Sequence, residues 1–146
     1  MITLEKATIN DASIFAGFEL MPDTQKYILP YTPLEHELKI KDSALVYLRI
    51  LAHNELKGFF ILALEPDRQS IEFRRIVISE KGRGIGQLAI VMMEQYCRKE
   101  LNRTRIWLDV FEDNSRGRHI YEKLGYVFFG ENVNQGKKLL LYHKKI

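Results

Sequence analysis

A chain of 146 residues with 46% hydrophobic side chains is long enough to bury a core of its own and needs no metal or disulfide staple. Its one cysteine, Cys97, excludes an intrachain disulfide, and a net charge of +3 is too small to argue for a nucleic-acid partner. Glu5 and Lys6 fall where a secretory leader needs its apolar run, and GFFILAL is far short of a membrane span, so the expectation is a soluble, cytoplasmic protein without a membrane partner.

ITLEKATI alternates well enough to predict a first strand. Asn10 and Asp11 are helix caps ahead of ASIFAGFELM, whose apolar positions suit a short amphipathic helix. MPDTQKYILPYTP holds three of the four prolines and predicts an irregular connection, followed by a short helix over LEHELKI. ALVYLRILA, LKGFFILAL and IEFRRIVIS read as three strands, and the connections HNE and EPDRQS are short enough for hairpins. An antiparallel meander is expected there.

Beyond SEKGRG, Ile85, Leu88, Ala89, Met92 and Tyr96 recur at helical spacing, leaving Gln87, Glu94, Gln95, Arg98 and Lys99 mostly for solvent. TRIWLDVF returns as a strand. A strand, a helix and a strand at this spacing form a crossover, which makes the two strands parallel. NSRGRHIYEKLG predicts another helix, stopped by Gly125, and YVFFG with KKLLLYHKKI closes the chain as an antiparallel pair. The expected fold class is α/β: a mixed, mostly antiparallel sheet with one central parallel βαβ step, helices on both faces, in a single domain over residues 1–146.

Gly82, Gly84 and Gly86 alternate immediately before the crossover helix. Glycines let a backbone approach a ligand closely, and the first N–H groups of a helix lack internal partners while carrying the positive end of its dipole. With Lys81 and Arg83 adding charge, this is a competent pyrophosphate site; a glycine-rich turn that binds nothing is the bland alternative. GIGQLA also satisfies the dinucleotide fingerprint G-x-G-x-x-G/A, with Asp109 downstream at a strand end, which would imply a nicotinamide-dependent oxidoreductase. Its context is wrong, because SEK separates the glycines from their strand and only one crossover is present. A Walker phosphate loop is absent from the sequence.

KGRGIG resembles the signature [RQ]-x-x-G-x-[GA] of the GNAT superfamily of acetyl-CoA-dependent N-acetyltransferases, with Lys81 in place of Arg or Gln. NSRGRHIYEKLGY is similar to the family's second signature, N-x-x-[AG]-x-x-x-Y-E-K-x-G-[FY], and LEKATINDASIFAGF looks like its opening strand and helix. The resemblance covers almost the whole chain and implies the GNAT fold, in which the parallel strands splay into a cleft for pantetheine. It further implies that backbone groups of Ile76, Val77 and Ile78 pair with the arm. Backbone N–H groups over Lys81, Gly82, Arg83, Gly84, Ile85, Gly86 and Gln87 would hold the pyrophosphate, and Asn114 would meet the cofactor from the opposite wall.

Acetyl transfer needs a neutral amine, a donor for the developing oxyanion and a proton for the departing thiolate. At pH 7, deprotonating a lysine-like amine costs roughly 4–5 kcal/mol and an α-amine about 1, so a base matters for the former. Glu72, in the strand before the glycine loop, matches the carboxylate some family members use. Arg74 lies on the same strand face and would pair with it, weakening it as a base. The N–H of Ile76 or Val77 would serve the oxyanion, and Tyr121 of the second signature would protonate the thiolate. Arg74 and Arg75 in mid-strand suggest a wet cleft beside them.

Cys97 reads as a packed thiol and Trp107 as core, and His36, His53, His119 and His143 show no metal-ligand spacing, so no metal is expected. Residues 1–67 carry 6 Lys/Arg against 10 Asp/Glu, and residues 68–146 carry 16 against 9. An acidic, aromatic stretch around Asp23, Tyr27 and Tyr31 suits a cationic amine acceptor, either a small molecule or a protein or peptide. The reading is therefore acetyl transfer from acetyl-CoA to a primary amine by direct attack in a ternary complex. The alternative is a catalytically silent CoA-binding sensor, and self-association into a homodimer is left open.

Overall fold

Strand alternation divides the apolar residues between two cores. The computed structural model describes residues 1–24 and 27–146. The strands are β1 (Ile2–Lys6), β2 (Leu45–Ala52), β3 (Glu55–Leu64), β4 (Ser70–Ile78), β5 (Arg105–Phe111), β6 (Val127–Asn134) and β7 (Lys137–Lys145). The helices are α1 (Ala12–Glu19), α2 (Pro33–Lys41), α3 (Ile85–Lys99) and α4 (Ser115–Lys123). Among the described residues the strands form one sheet in the order β1-β2-β3-β4-β5-β7-β6. Only β4 and β5 run parallel, as the crossover requires.

On one face, Leu48, Ile50, Phe60, Leu62, Ile71 and Ile106 pack with Ala89, Met93 and Cys97 of α3. On the other, Tyr47, Phe59, Ile61 and Val77 pack with Phe15 of α1, whose ring stacks on Phe59 at 4.2 Å between centroids. Helices thus cover both faces. No helix among the described residues is long and apolar enough to cross a membrane.

Local chemistry explains where these elements begin and turn. The β2–β3 connection is a tight hairpin whose residues His53 and Asn54 both take positive φ, 53° and 67°, as the twist of a two-residue turn demands. α2 starts at Pro33, one residue earlier than the periodicity predicts. The Thr32 side chain accepts from Glu35 N–H, the Glu35 carboxylate accepts from Thr32 N–H, and proline is pre-set for a first helical position.

Four further sequence expectations change. Leu88 is 59% exposed, and the buried stripe of α3 runs instead through Ile85, Ala89, Ile90, Met93 and Cys97. Glu94, expected in solvent, is buried and accepts from the Tyr126 hydroxyl at 2.9 Å and from Lys144 at 2.9 Å. Trp107 is only half-buried, its indole N–H 3.3 Å from a Glu65 carboxylate oxygen. β6 continues past Gly130 to Asn134, because its partner β7 supplies the ladder that ENVN could not signal by alternation. In the connection between α1 and α2, residues 25–26 lie outside the described residues.

Candidate active site

The parallel pairing of β4 and β5 is short: Ser70 with Arg105, Ile71 with Ile106, Glu72 with Trp107. There it stops. On its other side β4 pairs with β3, and the register steps from Leu62–Phe73 to Ile61–Arg75, leaving Arg74 as the extra residue of a bulge. A bulge bends its strand, so β4 veers from β5 just beyond Glu72 and a fork opens. Gly58 lets β3 stay close to the bent strand: a Cβ there would sit 2.0 Å from the Val77 carbonyl oxygen.

The fork exposes main chain. Ser79 N–H donates to the Lys57 carbonyl at 2.7 Å. Alternation along that ladder turns the peptide groups of Val77 toward Phe59 and those of Ile76 and Ile78 toward the gap. Of the three strand residues singled out from the sequence, Ile76 and Ile78 therefore offer their backbone, while Val77 contributes wall.

Two contiguous cavities fill the fork. One, of about 310 Å³, is lined by Phe73, Arg74, Arg75, Ile76, Val77, Asp109 and Tyr121 among others. The larger, of about 920 Å³, runs over the glycine loop along Lys81, Gly82, Gly84, Ile85, Gly86 and Gln87 to Ser115 and Arg116. Asp23, Tyr27, Ile76, Ile78, Lys81, Asn114 and Tyr121 border both.

Gly82 and Gly84 take φ of 83° and 73°, a region that side chains with a Cβ avoid. Gly84 is the residue before the first turn of α3 and, as a glycine, offers that turn no capping side chain. Gly86 has ordinary helical geometry. A Cβ there would meet only Ile78 Cγ1 at 3.8 Å, so what its hydrogen preserves is cavity. The Arg83 side chain is 74% exposed, lies 3.6 Å from Glu80 and borders neither cavity. Lys81 donates to the Asp23 carbonyl at 2.7 Å, tying the glycine loop to the segment after α1, and burial lowers its pKa.

On the opposite wall, Asn114 caps α4: its Oδ1 accepts from Gly117 N–H at 3.0 Å. A Cβ at Gly117 would lie 2.8 Å from Asn114 Nδ2, so this glycine keeps the cap in place. One turn on, Tyr121 reaches both cavities. Burial, then the charge of Asp109, pushes its phenol up to about 12. It is thus a firmly protonated group, with no hydrogen bond to its hydroxyl among the described residues.

Glu72 sits on the closed side of the fork, borders neither cavity, and accepts from Arg74 Nε at 2.7 Å. The ion pair anticipated from their spacing is present. Arg75 is held differently. Its guanidinium donates to Glu19 Oε2 at 2.5 Å and lies 4.1 Å from the centroid of the Tyr31 ring.

Glu19 is fully buried at the end of α1, and its Oε1 accepts from Tyr31 N–H at 2.9 Å and from His36 Nε2 at 2.7 Å. His36 Nδ1 faces the Tyr47 hydroxyl at 2.8 Å. Burial pushes the Glu19 carboxyl up, but the hydrogen bonds from His36, Tyr31 and Arg75 outweigh it and hold it below its ordinary value. Burial, then the charge of Glu19, pushes Tyr47 well above the usual phenol range. This network joins α1, α2, β2 and β4 behind the cavity wall.

Asp23 and Tyr27 border the cavities as the acceptor-side reading expects; Tyr31 instead serves the Glu19–Arg75 network. Cys97 is fully buried beside Met93, and burial raises its thiol to about 12. Among the described residues no group of three or more His, Cys, Asp or Glu is placed to hold a metal ion. Two residues escaped functional notice. Glu19 lay in an apolar helix with no sequence signal for its partners, and Asp109 stood out only under the dinucleotide fingerprint. An acid amid the apolar residues of RIWLDVF was the available clue.

The model of the acetyltransferase (GNAT) family matches residues 14–126. Among solved structures, a spermidine N-acetyltransferase from Vibrio cholerae in complex with CoA and spermine aligns with a TM-score of 0.84 at 23% identity, over 99% of this chain and 95% of that one. A single-residue variant of the Vibrio cholerae spermidine N-acetyltransferase aligns at 0.83 and 22% identity, over 99% and 93%. A spermidine/spermine N-acetyltransferase of that organism in complex with manganese ions aligns at 0.79 and 24%, over 99% and 92%. These likenesses are of fold. No curated protein gives a significant match in sequence.

Proposed function

The chain belongs to the acetyltransferase (GNAT) family, and from that premise we propose that it transfers an acetyl group from acetyl-CoA to a primary amine by direct attack in a ternary complex. The observation that carries this is the continuity of the strand fork with the uncapped start of α3. Two cavities that share a wall run from main-chain donors for a diphosphate to the half-buried Tyr121 phenol beside an open strand edge. Acetyl-CoA brings the activated thioester; the chain supplies position, hydrogen bonds and protons. We take residues 1–146 to act as one domain.

The residues present fit that co-substrate. The first N–H groups of a helix have no intrahelical partner and carry the positive end of its dipole, and the residues at the start of α3, Gly84 to Gln87, line the larger cavity. Ile76 and Ile78 offer peptide groups to a chain lying in the gap. Near the fork, the Ile76 N–H is positioned to donate to an acyl oxygen as it gains charge, a contribution of about 3–4 kcal/mol in comparable sites. The Asn114 Oδ1 is committed to Gly117 N–H, which leaves the Nδ2 as its donor toward the cavity.

Tyr121 is the proton donor to the departing sulfur. Against a thiolate of ordinary pKa near 8.5, a phenol at about 12 gives up its proton uphill by about 5 kcal/mol. Burial raises a thiol as it raises a phenol, the direction Cys97 takes in the core, so a sulfur departing inside the cleft is brought toward the Tyr121 phenol.

The acceptor is an amine-bearing small molecule. Arg74 and Arg75 both border the cavity, but each is neutralised by a carboxylate, Glu72 and Glu19 respectively. The acidic side chains left facing it, Asp23 and Asp109, favour a cation. The fold neighbours described as polyamine acetyltransferases make spermidine and spermine the first compounds to try. The test is calorimetry with CoA together with thiol release from acetyl-CoA across a panel of polyamines, amino acids and peptides. Saturable thiol release with one acceptor class is expected. Binding without release would move the reading to a CoA-binding sensor, and no binding at millimolar CoA would end both.

A further inference from the structure

We propose that Asp109, not Glu72, accepts the proton of the incoming amine. This rests on the acetyltransferase reading above and goes further by naming the base. The last parallel pair is Glu72–Trp107, and the next same-face residue of β5 beyond it is Asp109. Asp109 is therefore the first ionisable side chain of β5 on the open side of the fork. It lines the smaller cavity together with Tyr121, Ile76 and Arg74. Arg74 to Ile78 spans about 13 Å of strand, so this point lies far from the glycine loop, at the end where an acyl group held by its diphosphate would arrive.

Glu72 is placed otherwise. It lies on the paired side of the fork, 2.7 Å from the guanidinium of Arg74, and lines neither cavity. No other residue's side chain hydrogen-bonds or ion-pairs with the Asp109 carboxyl among the described residues; it meets its own backbone N–H and is exposed to the cavity. Desolvation by the walls, then the charge of Glu72, holds its carboxyl above its ordinary value, against the opposing charge of Arg74. The groups facing it are Glu72 and Arg74 from β4 and Tyr121 from α4; Leu141 stands opposite on β7. Asp23, Arg75 and Lys81 share the same cavity.

The protons balance. An ammonium acceptor gives one proton to Asp109, from which it passes to solvent. The neutral nitrogen then bonds to the acyl carbon as the carbon–sulfur bond breaks. Sulfur takes a proton from Tyr121, and the second proton leaving nitrogen restores the phenol.

The experiment compares Asp109→Asn with Glu72→Gln on two acceptors, spermidine, whose amines lie in the lysine range, and a short peptide with a free α-amine. CoA affinity and melting temperature are measured on the same samples. With Asp109→Asn, kcat/KM for spermidine should fall about 10²–10⁴-fold and lose the ascending acid limb of its pH profile. Because the α-amine is already largely ready to react near neutral pH, its loss should be smaller by at least about tenfold. Glu72→Gln should stay within about tenfold of the parent for both. A loss from Asp109→Asn that is equal for the two amines, or a larger loss from Glu72→Gln, overturns the assignment while leaving the acetyltransferase reading in place. A parent protein that acetylates neither amine nor any other of the panel overturns that reading and this one with it.

Discussion

The two ends of the cleft are made of different material. The glycine loop lines its cavity with main chain, shaped by the positive φ of Gly82 and Gly84 and by a helix start whose N-cap, Gly84, has no side chain. At the fork the wall adds two side chains, Tyr121 and Asp109, to the main chain of Ile76, and is braced from behind by the buried Glu19 network. The comparison with α4 sharpens the point, since that helix begins at the same cleft with its first turn already served by Asn114. On the proposed reading, binding rests mainly on the backbone and proton transfer on side chains, so substitutions at the two ends should fail in different ways.

The largest expected effect is at the fork. Tyr121→Phe removes the proposed acid and little volume, so turnover should drop about 10²–10⁴-fold while calorimetry finds CoA affinity unchanged. A parallel loss of binding would mean that the phenol belongs to the binding end after all.

Next is the brace behind the wall. Glu19→Gln leaves Arg75 without its counter-charge in a buried site and should cost about 3–5 kcal/mol, which is a melting temperature lower by roughly 10 °C. The pH dependence has a definite sign. The Glu19 pKa in the folded protein is below its ordinary 4.5, so its stabilisation is present above that value and lost as pH falls through the lowered one. Acid melts of the parent should steepen below pH 4.5, and those of the Gln variant should lose that component.

The backbone end should show the reverse pattern. Gly86→Ala places a Cβ that meets only Ile78 Cγ1 at 3.8 Å and takes up ligand space; CoA affinity should fall about tenfold or more with no loss of melting temperature. Smallest of all, Arg83→Ala removes an exposed charge and should change CoA affinity no more than about fivefold. A large effect there would return the binding role to side chains and erase the contrast.

Much of this arrangement is legible along the chain. Glycine spacing, the helix stop at Gly125 and strand alternation are local, and the structure follows them in the parallel step, the glycine loop and the placing of Tyr121; that Asn114 caps the helix came only from the structure. Leu88 and Glu94 show where local reading stops. Both fit the helical period, yet which stripe of α3 is buried depends on the sheet beneath it and on Tyr126 and Lys144 arriving from 32 and 50 residues away. Asp109 shows the same limit: its neighbours in sequence are core, and its significance comes from β4 turning aside.

By itself, then, the order of residues determined the strands and helices, the family signatures and the glycine-lined helix start, since each rests on neighbours within a turn or a hairpin. Only the tertiary structure decided which carboxylate faces the cavity and which is spent on an arginine. That choice hangs on a bulge at Arg74 and the end of a three-pair parallel ladder, and both are properties of strands brought together rather than of either strand alone.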